Sequence, residues 1–138
     1  MKDITYKTAV IPSREQIQNL YTDANWTSYT EDMDNLMKAI NNSLEVITAW
    51  DGDNMVGLVR SVGDGQTILY IQDILVMKDY KRLGIGSKLL NKMLDSFPQV
   101  RQKVLLTDDV EETRSFYKAN GFISCDDGRL VAFAKFSK

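Results

Sequence analysis

Residues 68–97 constrain the fold more than any other stretch. Ile68 to Val76 reads ILYIQDILV, a nearly continuous apolar run of strand length that fits an interior position in a sheet. A basic turn follows, and then Leu83-Gly84-Ile85-Gly86-Ser87 opens a segment to Phe97. In that segment Leu89, Leu90, Met93, Leu94 and Phe97 recur at helical spacing. A buried strand that runs through a glycine turn into an amphipathic helix needs a sheet with helices laid on it. The turn also has a chemical meaning. The opening amides of a helix lack intrahelical acceptors and carry partial positive charge. Gly84 and Gly86 let main chain approach a ligand, and Lys81 and Arg82 add full charges. These are the parts of a diphosphate cradle. They are also the parts of an ordinary strand-to-helix turn. The Walker pattern GxxxxGK(S/T) is absent, and the dinucleotide pattern GxGxxG fails because Leu89 stands at its third glycine.

The flanking segments extend the same architecture. Alternation at Ile4, Tyr6 and Ala9 predicts a first strand. Ser13 and Gln16 form a capping-box pattern before Ile17, Leu20 and Tyr21. Thr30 is placed to cap a second helix carrying Met33, Leu36, Met37 and Ile40. Leu44 to Trp50 and Met55 to Val62 flank Asp51-Gly52-Asp53-Asn54, which predicts a hairpin, and Ile68 to Val76 follows as the central strand. Val104 to Leu106 reads as a short buried strand and Val110 to Asn120 as a helix ended by Gly121. Phe122 to Ser124 and Leu130 to Lys135 read as a last antiparallel pair around Asp126-Asp127-Gly128. The order is βααβββαβαββ: an α/β (α+β) fold, one domain over 1–138, with a mixed and mostly antiparallel sheet of six or seven strands and about four helices.

Composition removes several function classes. Seventeen Lys and Arg against 19 Asp and Glu give a net charge of −2, without the basic footprint of a nucleic-acid binder or of a protein drawn to anionic membranes. The absence of His excludes His-based triads and HExxH metal sites. The single Cys125 forms no intrachain disulfide and no Cys-rich zinc site, so no metal is expected. The N-terminal residues lack the apolar core of an export signal and no run is long enough to span a bilayer, so a cytoplasmic location is expected.

Two stretches carry a family resemblance. Lys81-Arg82-Leu83-Gly84-Ile85-Gly86 resembles motif A of the GNAT N-acetyltransferases, written Gln/Arg-x-x-Gly-x-Gly/Ala. Phe116-Tyr117-Lys118-Ala119-Asn120-Gly121-Phe122 is similar to that family's FYxxxGF motif. The two lie in the family's order, and the resemblance covers roughly residues 44 to 135. It implies acetyl-CoA as cosubstrate, with its diphosphate on the amides from Arg82 to Ser87, and acetyl transfer to a primary amine of a small molecule. Protein or peptide amines are the alternative. Lys81 departs from the motif, keeping a donor but losing planar geometry. The Asn that many members carry near the second motif is absent from Asp109-Val110-Glu111-Glu112-Thr113, leaving Thr113 or Arg114 as the nearest pantetheine contact.

Acetyl transfer by direct attack needs a neutral amine, a donor for the carbonyl oxygen and a proton for the departing thiolate. The resemblance makes Tyr117 the proton donor, where helical spacing alone would make it a packing residue. It implies that a main-chain amide from Ile74, Leu75 or Val76 meets the carbonyl oxygen, through a bulge that no sequence pattern displays. Asp73, a charge in an apolar strand, is either a cleft-facing carboxylate serving as base or a solvated residue on the outer face. Trp26 and Tyr29, with the acids at 31, 32 and 34, either line an amine pocket or pack and cap the helices there. Two rival functions use the same turn: a non-catalytic acyl-CoA sensor and a nucleotide-binding regulator. Dimers built with the last strands occur in the family, so a homodimer is one expected state.

Overall fold

The computed structural model describes residues 3–137. Five strands form one sheet in the order β1-β2-β3-β4-β5: β1 Ile4–Thr8, β2 Glu45–Asp51, β3 Asn54–Gly63, β4 Ile68–Val76 and β5 Gln102–Leu105. The first three pairings are antiparallel and β4–β5 is parallel. The α-helices are α1 Arg14–Asp23, α2 Thr27–Thr30, α3 Met33–Asn41, α4 Ile85–Asp95 and α5 Glu111–Ala119. The chain divides into two compact units, residues 1–106 and 107–138.

In the first unit β3 is the middle strand and the most buried, whereas β4 lies one place from the edge. Along β4 buried residues alternate with half-buried or exposed ones, whereas β3 is buried without a break from Met55 to Ser61, so the apolar run of β4 does not mark the central strand. One face of the sheet meets α4, whose Ile85, Leu89, Leu90 and Met93 are buried. The other meets α1 and α3, where Ile17, Leu20, Tyr21, Met33, Leu36 and Ile40 pack with Leu58 and Leu75. The capping box forms as expected: Ser13 Oγ accepts from Gln16 N at 3.2 Å and Ser13 N donates to the Gln16 side chain at 2.9 Å. The cap of α3 is Asp32, which accepts from Asn35 N, and not Thr30, which closes the one-turn α2.

In the second unit the FYxxxGF stretch is a helix terminus. Gly121 has φ +89°, Phe122 N donates to Tyr117 O at 3.0 Å and Gly121 N to Lys118 O at 3.1 Å. These are the two crossed bonds of a Schellman cap, with its apolar contact supplied by the Tyr117 and Phe122 rings 5.7 Å apart. The expected last strand pair is not present. Residues 125–127 form a 3-10 turn, and none of the described residues from 130 onward is in a helix or strand. Strand propensity is realised only through cross-strand packing, and Phe133 and Phe136 are 94% and 84% exposed. The sheet therefore has five strands instead of six or seven.

Two substitutions test the local physics. Ser13→Ala removes the α1 cap and should cost about 1 kcal/mol in urea unfolding. Gly121→Ala places a Cβ that meets nothing within 4 Å, so its cost is purely conformational, about 1 kcal/mol. An unchanged midpoint for Gly121→Ala would mean that the left-handed cap does not form in solution.

Candidate active site

A bulge in β4 organises the first unit's site. The β3–β4 register runs from Gly57↔Val76 to Arg60↔Asp73, then continues as Ser61↔Ile71, so Gln72 is an extra residue on β4. In a regular strand Ile71 and Asp73 would share a face. The bulge sends them to opposite faces. Ser61, opposite Ile71, directs its hydroxyl to Met93 of α4 at 3.3 Å. Arg60, opposite Asp73, points to the side of α1 and α2.

Asp73 is 3% exposed and Arg60 4%. Asp73 Oδ2 accepts from Arg60 Nε at 2.6 Å and from the Tyr21 hydroxyl at 2.8 Å, and Oδ1 accepts from the Tyr29 hydroxyl at 2.8 Å. Burial works against the Arg60 charge, but the Asp73 carboxylate and the Tyr29 hydrogen bond outweigh it and hold the guanidinium above its ordinary pKa. Burial, then the Asp73 charge, pushes the Tyr21 and Tyr29 hydroxyls up. Asp73 is thus neither the solvated residue nor the open cleft carboxylate of the two sequence readings. It is sealed in an ion pair. Tyr21 is on the apolar face of α1 as the spacing predicts, but its bond to Asp73 and the role of Arg60 escaped the sequence reading, although one signal existed: Arg60 and Asp73 are lone opposite charges in consecutive apolar strands, placed to meet across a hairpin.

On its other edge β4 parts from β5. Their pairing ends at Ile71↔Leu105. Met77 N donates to Val56 O across the β3 side at 2.8 Å. Main-chain direction alternates along a strand, so the amides and carbonyls of Ile74 and Val76 face the side that β5 has left. A pocket of about 130 Å³ opens there, lined by Ala24, Trp26, Ile74, Leu75, Val76, Lys78 and Lys81. Five expected site residues converge on it: Trp26, Ile74, Leu75, Val76 and Lys81. Tyr29 is not in this lining. It packs edge-on against Tyr21 at 5.3 Å and holds Asp73.

The glycine turn follows directly. After the 3-10 turn Lys78–Tyr80, Arg82 adopts φ +67° and Gly84 φ +79°. Gly84 is the N-cap of α4 and supplies no capping side chain, and no acid occupies the first turn. The first intrahelical bond is Lys88 N to Gly84 O at 3.0 Å, so the amides of Ile85 and Gly86 have no intrahelical acceptor. Lys81, Arg82 and Leu83 are exposed, while Gly86 and Ser87 are half-buried. A helix start with no side-chain cap, no acid in its first turn and two exposed cations beside it can hold an anionic group such as a diphosphate.

In the second unit Tyr117 is half-buried between Phe116, at 5.0 Å, and Phe122. Burial pushes its hydroxyl up to about 12, so it keeps its proton throughout the physiological range. Thr113 is half-buried on the same helix. Arg114 is engaged with Asp109 at 2.5 Å and with Asp126 at 3.4 Å, which leaves Thr113 as the sequence's pantetheine candidate. Cys125 is exposed and free. Among the described residues no His/Cys/Asp/Glu group could hold a metal, and no helix is long and apolar enough to cross a membrane.

Comparison with known proteins identifies the family. The family model described as an acetyltransferase (GNAT) domain matches residues 8–137. A protein of Gibberella zeae named as an acetyltransferase is 35% identical over 66 residues, 46% of this chain and 36% of its own length. An uncharacterised N-acetyltransferase of Pyropia yezoensis is 27% identical over 74 residues, 54% of this chain and 42% of its own. The matched segments thus span less than half the length of these curated relatives. A solved structure of a GNAT-family acetyltransferase from Streptococcus pneumoniae TIGR4 is 32% identical, covers 99% of both chains and superposes with a TM-score of 0.87. With the family model spanning nearly every residue, the chain belongs to the GNAT acetyltransferase family.

Proposed function

We propose that the protein is an acetyl-CoA-dependent N-acetyltransferase that acts on the primary amine of a small molecule by direct attack. The observation that carries this reading is the run of unpaired β4 edge into an uncapped helix start. Ile74 and Val76 open onto the gap beside β5, and within ten residues Gly84 opens α4. One segment can therefore hold both ends of an acyl carrier.

Each residue then has a task. Lys81, Arg82 and the amides from Leu83 through Gly84, Ile85, Gly86 and Ser87 hold the diphosphate. Thr113 contacts the pantetheine arm. The amide of Ile74 or Val76 donates to the carbonyl oxygen as charge gathers there, the largest single source of acceleration in acyl transfer. Leu75 faces the α1–α3 core and fixes the strand between them. Tyr117 offers a hydroxyl that stays protonated and stabilises the departing sulfur. This assignment rests on the motif and on the hydroxyl's own protonation state. Trp26 and Tyr29 bound the acceptor side. Direct attack uses no enzyme nucleophile, so no acetylated enzyme is expected.

The test is a thiol-release assay with acetyl-CoA across small amines and peptide N-termini, together with calorimetry of coenzyme A binding. Sequential kinetics with a small amine are expected. Tyr117→Phe should lower kcat by about 10²-fold while the Kd for coenzyme A stays nearly constant; unchanged turnover removes its role. Saturable binding with no thiol release from any amine would instead assign a non-catalytic acyl-CoA sensor.

A further inference from the structure

We propose that the Arg60–Asp73 ion pair, closed by the Tyr21 and Tyr29 hydroxyls, is a positioning device. It holds β4 bulged at Gln72 and thereby fixes the Ile74 and Val76 amides in the gap beside β5. The proposal deepens the function above and rests on the reading of that gap as the acyl site.

Three observations carry it. The first is the reversal of faces. Were β4 to pair without the extra residue opposite Arg60, Asp73 would follow Ile71 onto the face of α4, among Leu89, Leu90 and Met93. A carboxylate buried there has no ionic partner and is strongly disfavoured. The bulged register is the one in which it meets Arg60. The second is that the bulge residue belongs to the same network. Gln72 Nε2 donates to the Tyr29 hydroxyl at 3.1 Å, and Arg60 donates to that hydroxyl at 3.4 Å and to Ser43 Oγ at 3.3 Å. The third is occupancy. Three donors already bind the two Asp73 oxygens, so the group is engaged in holding structure rather than open to an amine proton. The groups facing it are Arg60 from β3, Tyr21 from α1, Tyr29 from α2 and the neutral Gln72 beside it.

Asp73→Asn and Tyr29→Phe in the 138-residue chain test the device, read by three measurements. The first is the ¹⁵N amide shifts of Ile74 and Val76 in the free protein. The second is the Kd for coenzyme A, which the distant glycine turn should dominate. The third is the pH profile of kcat/KM. Both variants should move the two amide resonances and leave the Kd within about twofold. Asp73→Asn should lower kcat by up to about a hundredfold, since small misplacements of reacting groups cost that much, with the acid limb of the profile at its wild-type midpoint. Loss of that limb in Asp73→Asn with both amides unmoved would make Asp73 the base and overturn the proposal. So would folded variants with wild-type kcat. If Asp73→Asn does not fold, Tyr29→Phe decides by the same criteria. A wild-type protein that binds no coenzyme A defeats the functional reading alone, because the amide shifts still report whether the ion pair sets the bulge.

Discussion

A buried guanidinium and a buried carboxylate in neighbouring apolar strands leave the chain little choice of register. Arg60 and Asp73 are each expensive alone and tolerable only together. Sequential strands that could otherwise slide by one residue are pinned where the two charges meet. The hydroxyls of Tyr21 and Tyr29 fill the remaining acceptor positions, and this draws α1 and α2 onto the same point of the sheet. The bulge, the aromatic cluster and the outward-facing edge of β4 follow from that one pairing.

The second constraint is a vacancy in hydrogen bonding. A helix normally begins on a residue whose side chain satisfies its first amides. Ser13 does this for α1 and Asp32 for α3. Gly84 does not do it for α4. α2 and α5 also start without a side-chain cap, but α4 alone of the three follows a turn carrying two exposed cations, Lys81 and Arg82, with no acid in its first turn. The left-handed φ of Arg82 and Gly84 belongs to the same local choice.

Local signals were legible and pairing was not. The ends of β4, the capping box, the hairpin at Gly52 and the Gly121 terminus all depend on residues within a few positions of one another. Each was readable from spacing and turn chemistry. The parting of β4 from β5 and the role of Asp73 depend on which residue lies across the ladder, and no periodicity along a single strand encodes that. The C-terminal residues mark the same limit. Leu130, Val131 and Phe133 have strand composition, yet composition supplies no partner. Thr30 and Asp32 can both cap, and only the break between α2 and α3 separates them.

These two constraints divide the labour of the proposed enzyme. The glycine turn offers main-chain amides and flexible cations, which recognise a diphosphate whatever acyl group or acceptor accompanies it. The proposed acceptor side rests on α2, a single turn whose N-cap Trp26 makes no side-chain cap bond. So short a helix has little stability of its own. What fixes α2 is its contact with the ion pair through Tyr29 and the ring contacts of Trp26 with Tyr21 and Tyr29, at 5.8 and 6.1 Å. On the proposed reading, selectivity for the amine is tied to the same buried charges that shape the β4 edge. A change of acceptor would be reached more readily by altering α2 around Asp73 than by altering Asp73 itself.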